Sequence, residues 1–338
     1  MLRCIQLAEN GLGITYPNPL VGSVIVYENK IIGEGWHYQS GMPHAEVNAI
    51  ASVKNQSLLK DATIYVSLEP CSHFGKTPPC ANLIIEKGIK NIIIGSMDPN
   101  PKVAGNGIKL LKDHGSYVVE RVLEKECNKL NKRFFTFFQK QRPYIILKWA
   151  ETSDGFISPK GKTEKRPVWI TNKKSRQLVH KWRAEESSIL IGTNTAIEDN
   201  PSLTTRDWEG NSPIRLVIDK SLKIPIDANV FDFKAKTIII TEVKKENEKN
   251  VIYELIDFSK NIATQIIELV YRYKIQSLIV EGGAKTLQTF IDKNLWDEAR
   301  IIKGIPFFKE GTKAPFINGK ICSESKIKQD TLKIVLND

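Results

Sequence analysis

At 338 residues the chain is too long for one typical core and fits two domains. Its 41% hydrophobic and 26% charged content is that of an ordinary globular protein, and no apolar run approaches the roughly 20 residues that span a bilayer. The net charge of +11 is shared almost evenly by the two halves, without an arginine-rich, aromatic-bearing stripe, which favours anionic small substrates over a nucleic-acid surface.

The first residues, Met1 to Gln6, lack the apolar stretch of a secretory signal. Residues 21–26 and 31–35 flank Glu28-Asn29-Lys30 and predict a hairpin. His44 opens a segment with apolar residues at Val47, Ile50 and Ala51, the spacing of a helix with one buried face. Residues 63–68 predict a strand that delivers Cys71 at its end, and Pro78-Pro79 launches a helix whose first turn carries Cys80. Strands at 91–95 and 117–120 enclose a helix at 107–112. Residues 123–141 predict one charged, aromatic-bearing helix that Arg142-Pro143 breaks, so the domains are drawn at 1–142 and 143–338.

The second half opens on a strand at 144–149 and alternates again: a helix at 173–184, strands at 188–192, 214–219 and 237–240, a helix at 262–273 and a strand at 277–280. Glu281-Gly282-Gly283 then opens another helix, and 298–303 and 325–336 read as strands. Both halves are therefore expected to be α/β, the first in three layers. Glycines between a buried strand and a helix N-terminus can cradle a phosphate, although such a pair is more often only a tight turn. Neither G-x-G-x-x-G nor a P-loop is present. Lys148, Thr171, Arg183, Thr195, Asp199 and Arg206 fall at strand ends or loops, where they can meet a ligand or simply face water.

The chemistry is concentrated in His44-Ala45-Glu46, Glu69-Pro70-Cys71 and Cys80. One imidazole and two thiolates leave a tetrahedral zinc one open position, the mark of a catalytic rather than a structural site. A zinc-bound water ionises near neutral pH, and Glu46, which the metal does not need, can carry its proton to a departing ammonia. Either cysteine alone would read as an inert buried thiol; together with His44 and Glu46 they spell a zinc deaminase. Eight residues, Ser72 to Pro79, separate the cysteines and can bulge outward as a loop beside the metal, which makes His73 and Lys76 candidate partners for a phosphate or a carbonyl oxygen. With two of five cysteines given to metal, a disulfide framework is not expected and a reducing cytoplasm is.

Pro17-Asn18-Pro19-Leu20-Val21-Gly22, Pro43-His44-Ala45-Glu46-Val47, the run from Leu68 to Cys80, Asp98-Pro99-Asn100-Pro101, Ser153-Asp154-Gly155, Trp169-Ile170-Thr171 and the run from Glu198 to Thr204 closely resemble the bifunctional riboflavin-biosynthesis deaminase–reductase family. The resemblance covers nearly the whole chain. It implies a cytidine-deaminase-like three-layer domain followed by a dihydrofolate-reductase-like α/β domain. The first would remove the 2-amino group of 2,5-diamino-6-(5-phosphoribosylamino)pyrimidin-4-one using zinc. The second would reduce the ribosylamino group of the product to ribitylamino with NADPH. It implies His44, Cys71 and Cys80 as zinc ligands, Glu46 as proton shuttle, and Asn18, His37, His73 and Lys76 on the deaminase substrate. In the second domain it implies Ala150, Trp169, Thr195 and Asp199 on the cofactor, with Gly283, Ala284, Lys285, Thr286, Leu287, Gln288 and Thr289 as its phosphate-binding turn. Arg183, Leu203, Arg206 and Glu281 would hold the ribosyl phosphate, and Asp199 and Lys148 would assist hydride transfer. The partner expected is a phosphorylated pyrimidine, with self-association into a homo-oligomer and neither nucleic acid nor membrane.

Four departures stand out: Pro167 where many members carry a serine, Lys220 in place of a serine after Asp219, a late N-terminus, and a longer loop at 160–166. Two rivals compete. A zinc deaminase of another nucleobase or of tRNA, with an inactive or different second domain, is opposed by the long cysteine gap. A structural zinc protein on nucleic acid is opposed by Glu46 beside an open ligand position.

Overall fold

The computed structural model describes residues 1–73, 78–101, 103–161 and 167–337, and the chain divides into two compact units, Met1–Gln141 and Arg142–Asp338. Among the described residues, no helix is long and apolar enough to cross a membrane.

The first unit runs α1 (Leu2–Glu9), β1 (Gly22–Tyr27), β2 (Lys30–Trp36), α2 (Ala45–Ser52), β3 (Thr63–Leu68), α3 (Cys80–Glu86), β4 (Asn91–Ser96), α4 (Asn106–Asp113), β5 (Tyr117–Val119), α5 (Glu124–Leu130) and α6 (Lys132–Lys140). Its sheet has the order β2-β1-β3-β4-β5, antiparallel about β1 and parallel from β3 to β5. The expected hairpin closes through Glu28 and Asn29 at φ 47° and 60°, a left-handed pair that matches the strand twist. Alternation along the strands sorts side chains to two faces. Ile25, Ile64 and Val66 pack with Ile50 of α2, Ile84 of α3 and Leu111 of α4, whereas Val24 packs with Cys4 and Leu7 of α1. The result is three layers, with α2 and α3 starting at one end of the sheet.

Residues 123–141, expected as one helix, form two, α5 and α6. They part at Asn131 (φ −97°, ψ 22°), whose side chain accepts the N–H of Leu20 and donates to the Leu20 carbonyl, both at 2.8 Å. A buried asparagine that satisfies both backbone groups of a distant residue holds the chain there, and the helix restarts beyond it.

The second unit runs β6 (Tyr144–Glu151), β7 (Phe156–Pro159), α7 (Lys173–Glu185), β8 (Ser188–Gly192), α8 (Thr193–Asp199), β9 (Ile214–Ile218), β10 (Thr237–Thr241), β11 (Val251–Leu255), α9 (Ile262–Arg272), β12 (Ser277–Val280), α10 (Ala284–Asp292), β13 (Glu298–Lys303), β14 (Gly311–Lys313), β15 (Lys320–Ile327) and β16 (Asp330–Leu336). Nine strands form one sheet in the order β11-β10-β9-β8-β12-β6-β13-β16-β15, parallel from β11 to β13 and antiparallel thereafter. The parallel strands are apolar on both faces, as Ile238-Ile239-Ile240 shows, because helices cover both. Leu147, Ile238 and Ile240 pack with Ile266 of α9 and Phe290 of α10; Ile146, Ile189 and Ile239 pack with Val179 and Trp182 of α7. Residues 325–336, expected as one strand, belong to the hairpin β15–β16, which turns at Lys328 (φ 54°) and Gln329. The short β7, α8, β11 and β14 have no counterpart in the sequence expectation.

Candidate active sites

In the first unit, His44 caps α2, Cys80 opens α3 and Cys71 follows β3, so three separate elements bring their ligand atoms to one point. His44 Nδ1 lies 3.6 Å from Cys71 Sγ and 3.3 Å from Cys80 Sγ, and all three ligand atoms fall within 4.8 Å of one another. Zn–S bonds of about 2.3 Å and Zn–N bonds of 2.0–2.1 Å in a tetrahedron require an S···N separation of about 3.5 Å. The donor set and its spacing therefore fit zinc. The Cys71 thiol is held down at about 4 by hydrogen bonds from Cys80 and His44, while the same bond to Cys71, with burial, pushes the Cys80 thiol up. The backbone N–H of Cys80 also donates to Cys71 Sγ at 3.3 Å, a bond that favours thiolate over thiol.

Glu46, in the first turn of α2, is buried at 3% exposure, and burial pushes its carboxyl up to about 7. A dication at the three ligands works in the opposite direction. His37 is buried with its ring 5.2 Å from that of His44, and burial lowers its imidazole. Its Nδ1 faces the Pro43 carbonyl at 3.1 Å and must donate, so the neutral ring presents a bare Nε2. That nitrogen, 3.0 Å away, accepts from the Asn18 amide, which leaves the Asn18 oxygen as an acceptor. His73 is exposed; Lys76, the other loop residue expected on substrate, lies outside the described residues.

In the second unit a cavity of about 1160 Å³ opens at the C-terminal ends of β6, β8, β9 and β12, the place where open α/β sheets bind ligands. Lys148, Ala150, Trp169, Thr171, Arg183, Thr195, Asp199, Leu203, Arg206 and Glu281 all line it, with Gly283, Ala284, Lys285, Thr286, Leu287 and Thr289. Gln288 does not: its amide turns to Asp292 at 2.7 Å and to the Phe316 N–H at 3.2 Å, because α10 carries that position round to its outer face. Gly283 stands at φ 70°, and a Cβ on Gly282 would meet Ile191 Cβ at 2.6 Å, so the turn needs both glycines.

The cavity floor is charged. Arg183 donates to Glu281 at 2.8 Å and Lys148 stands 3.7 Å from the other carboxylate oxygen. Burial opposes ionisation of Glu281, but Arg183 and Lys148 outweigh it and hold its carboxyl at about 2. Burial also lowers the Lys148 ammonium, against the pull of Glu281. Pro167 and Lys220, both departures from the family pattern, line the same cavity, and Lys220 pairs with Glu242 at 3.4 Å. The loop at 160–166 is described only at Lys160 and Gly161.

Among the lining residues that went unread in the sequence are Arg176, whose guanidinium lies 4.6 Å above the Trp169 ring, and His180. Both precede Arg183 on α7 at helical spacing, and that i, i+4, i+7 pattern was the available signal.

Residues 1–96 match the cytidine and deoxycytidylate deaminase zinc-binding region, and residues 143–308 match the RibD C-terminal domain. The chain is 41% identical to the riboflavin biosynthesis protein RibD of Aquifex aeolicus over 92% of its length and 87% of that protein's. It is 38% identical to the RibD of Bacillus amyloliquefaciens over 93% and 86%. Its structure matches that of a diaminohydroxyphosphoribosylaminopyrimidine deaminase/5-amino-6-(5-phosphoribosylamino)uracil reductase from Thermotoga maritima with a TM-score of 0.91 and 37% identity, covering 100% of this chain and 97% of that one. With a deaminase zinc region in the first unit and a reductase cavity in the second, the chain belongs to the RibD family of bifunctional riboflavin-biosynthesis enzymes, which deaminate and then reduce.

Proposed function

We propose that residues 1–142 hydrolyse the 2-amino group of 2,5-diamino-6-(5-phosphoribosylamino)pyrimidin-4-one, and that residues 143–338 reduce the ribosylamino chain of the resulting uracil to ribitylamino with NADPH. The observation that carries the reading is the convergence of His44 Nδ1 and the two cysteine sulfurs at zinc-tetrahedral separations, with buried Glu46 beside them.

His44, Cys71 and Cys80 hold the zinc, which when bound supplies a water acidified to near neutral pH. Glu46, buried beside the three ligands, would act as the proton shuttle, carrying a proton to the amine that leaves as ammonia. The Asn18 oxygen, fixed by His37, accepts from the pyrimidine, and the substrate roles that the family resemblance gives His73 and Lys76 belong to the same proposal. In the second unit Ala150, Trp169, Thr195, Asp199 and, Gln288 excepted, the turn from Gly283 to Thr289 would hold NADPH, which when bound would supply the reducing equivalent. Arg183, Leu203, Arg206 and Glu281 hold the ribosyl phosphate. Lys148, a cation kept beside Glu281, and Asp199 orient and protonate the opened ribose. Thiolate ligands suit a reducing compartment, so a cytoplasmic location belongs to the same proposal, as does a homo-oligomer.

The test follows ammonia release and NADPH oxidation separately on zinc-loaded protein given the diaminopyrimidine. Both signals are expected in sequence. Glu46→Gln should lose ammonia release by about 10²-fold or more, and NADPH oxidation should return when the deaminated compound is supplied. Neither signal from folded, zinc-loaded protein would overturn the proposal.

A further inference from the structure

At one end of the reductase cavity three nitrogen-rich side chains meet. Arg183 and His180 project from α7, and Arg206 comes from the loop after Leu203. Burial lowers the Arg206 guanidinium, and the nearby charge of Arg183 lowers it further, so the two cations feel one another. Arg183 is drawn to Glu281 at 2.8 Å, while Arg206 donates to Thr204 Oγ1 at 3.1 Å. His180 lines the same cavity, buried at 6% exposure, and feels the charge of both.

The His180 ring is not idle. Its Nδ1 lies 3.1 Å from the backbone N of Arg206, and a backbone N–H can only donate. Nδ1 therefore carries the lone pair and the proton resides on Nε2, 3.7 Å from Asp207. Burial, and then the charges of Arg183 and Arg206, lower the imidazole to about 4 despite Asp207 and Glu281, which favours this neutral form.

We infer that His180 is a positioning residue for the phosphate end of the reductase site: by accepting the Arg206 N–H it pins the 203–207 loop against α7, so that Arg206 faces the same anion as Arg183 without a third positive charge beside them. The inference rests on the assignment of Arg183 and Arg206 to the ribosyl phosphate made above. It deepens that assignment by naming what sets their separation.

The test compares His180→Asn with His180→Gln. The asparagine oxygen occupies the place of Nδ1 and can still accept the Arg206 N–H, whereas the glutamine amide reaches the place of Nε2 and leaves that donor unpaired. Reductase kinetics are measured with the deaminated phosphoribosylamino compound and with its dephosphorylated riboside. His180→Gln should raise KM for the phosphorylated substrate about tenfold, the worth of one lost hydrogen bond, with kcat and the riboside KM little changed. His180→Asn should restore KM. A wild-type enzyme with no preference for the phosphate would overturn the arginine assignment and this inference together. A retained preference with both variants alike, or a loss in kcat rather than KM, would overturn this inference alone. Nitrogen-15 shifts of labelled histidine in the wild-type protein give a readout independent of variant folding: the Nε2–H tautomer is expected for His180, and an Nδ1–H tautomer would overturn it.

Discussion

A Cβ on Gly107 would lie 2.0 Å from the carbonyl oxygen of Pro70. The start of α4 is thus pressed onto the segment that carries Cys71, with no room for a methyl group. Gly107→Ala should push the Pro70–Cys71 backbone away and spoil the separation of Cys71 Sγ from His44. We expect zinc affinity to fall at least about tenfold, in keeping with losses from disturbed metal surroundings, with reductase kinetics unchanged. A chelator-competition titration measures this, and an unaltered affinity would contradict it.

Glu69 fastens the same contact. Its Oε1 accepts from the N–H groups of Gly107 at 2.9 Å and Ile108 at 3.2 Å, and its Oε2 from Gly105 at 2.9 Å and Asp98 at 3.2 Å. Glu69→Gln replaces one oxygen by an NH₂ that faces two N–H donors, leaving them unpaired. Each buried orphan costs about 1–3 kcal/mol, so the first unit should melt earlier by several degrees. Zinc-loaded and zinc-free protein should both show the shift in circular dichroism, since the defect lies in the scaffold.

Glu281 neutralises two cations at once. Glu281→Gln would leave Arg183 and Lys148 buried without a counter-charge, a defect of about 3–5 kcal/mol when one partner of a buried pair is removed. Five of the six tryptophans lie beyond Gln141, so intrinsic fluorescence reports chiefly on the second unit. Urea unfolding followed by tryptophan emission should shift to a lower midpoint, and reductase turnover should fall while ammonia release stays near wild type.

His180 also makes a prediction about pH. Its imidazole is held at about 4 in the folded chain, against 6.5 in an unfolded one, by burial and then by Arg183 and Arg206. The unfolded chain therefore binds the extra proton first as pH falls. Stability should decline between about pH 6.5 and 4 with the slope of one proton and gain no further slope from this group below that. His180→Asn should flatten that part of the profile for the second unit; an identical slope in the variant would show that the proton is taken up elsewhere.

Much of this was legible in the sequence because local chemistry demanded it. His44, Cys71 and Cys80 are donor types that a tetrahedral zinc takes whatever path joins them, and the fold brings their ligand atoms together; the apolar periods placed nearly every strand of both sheets. What escaped depended on distant partners. Nothing near Asn131 announces that its side chain will satisfy Leu20, 111 residues away, and so break a helix. Nothing near Gln288 shows that α10 turns it outward while its neighbours line the cavity. His180 and Arg176 looked like the polar positions of an amphipathic helix, and only the cavity beside α7 gives them a second purpose.

The hairpin that ends the chain has a consequence for handling the protein. β15 is the last strand of the nine-stranded sheet, and seven of its eight residues are exposed. An open edge of that length is a template on which unfolded or neighbouring chains can add strands and aggregate. Lys320, Glu324 and Lys326 place charges along it, and the register slips between Ile321 and Ser323, so the row of free backbone groups is interrupted near its start. Neutralising both lysines would convert a guarded border into an adhesive one, and turbidity on concentration is where the change would first be seen.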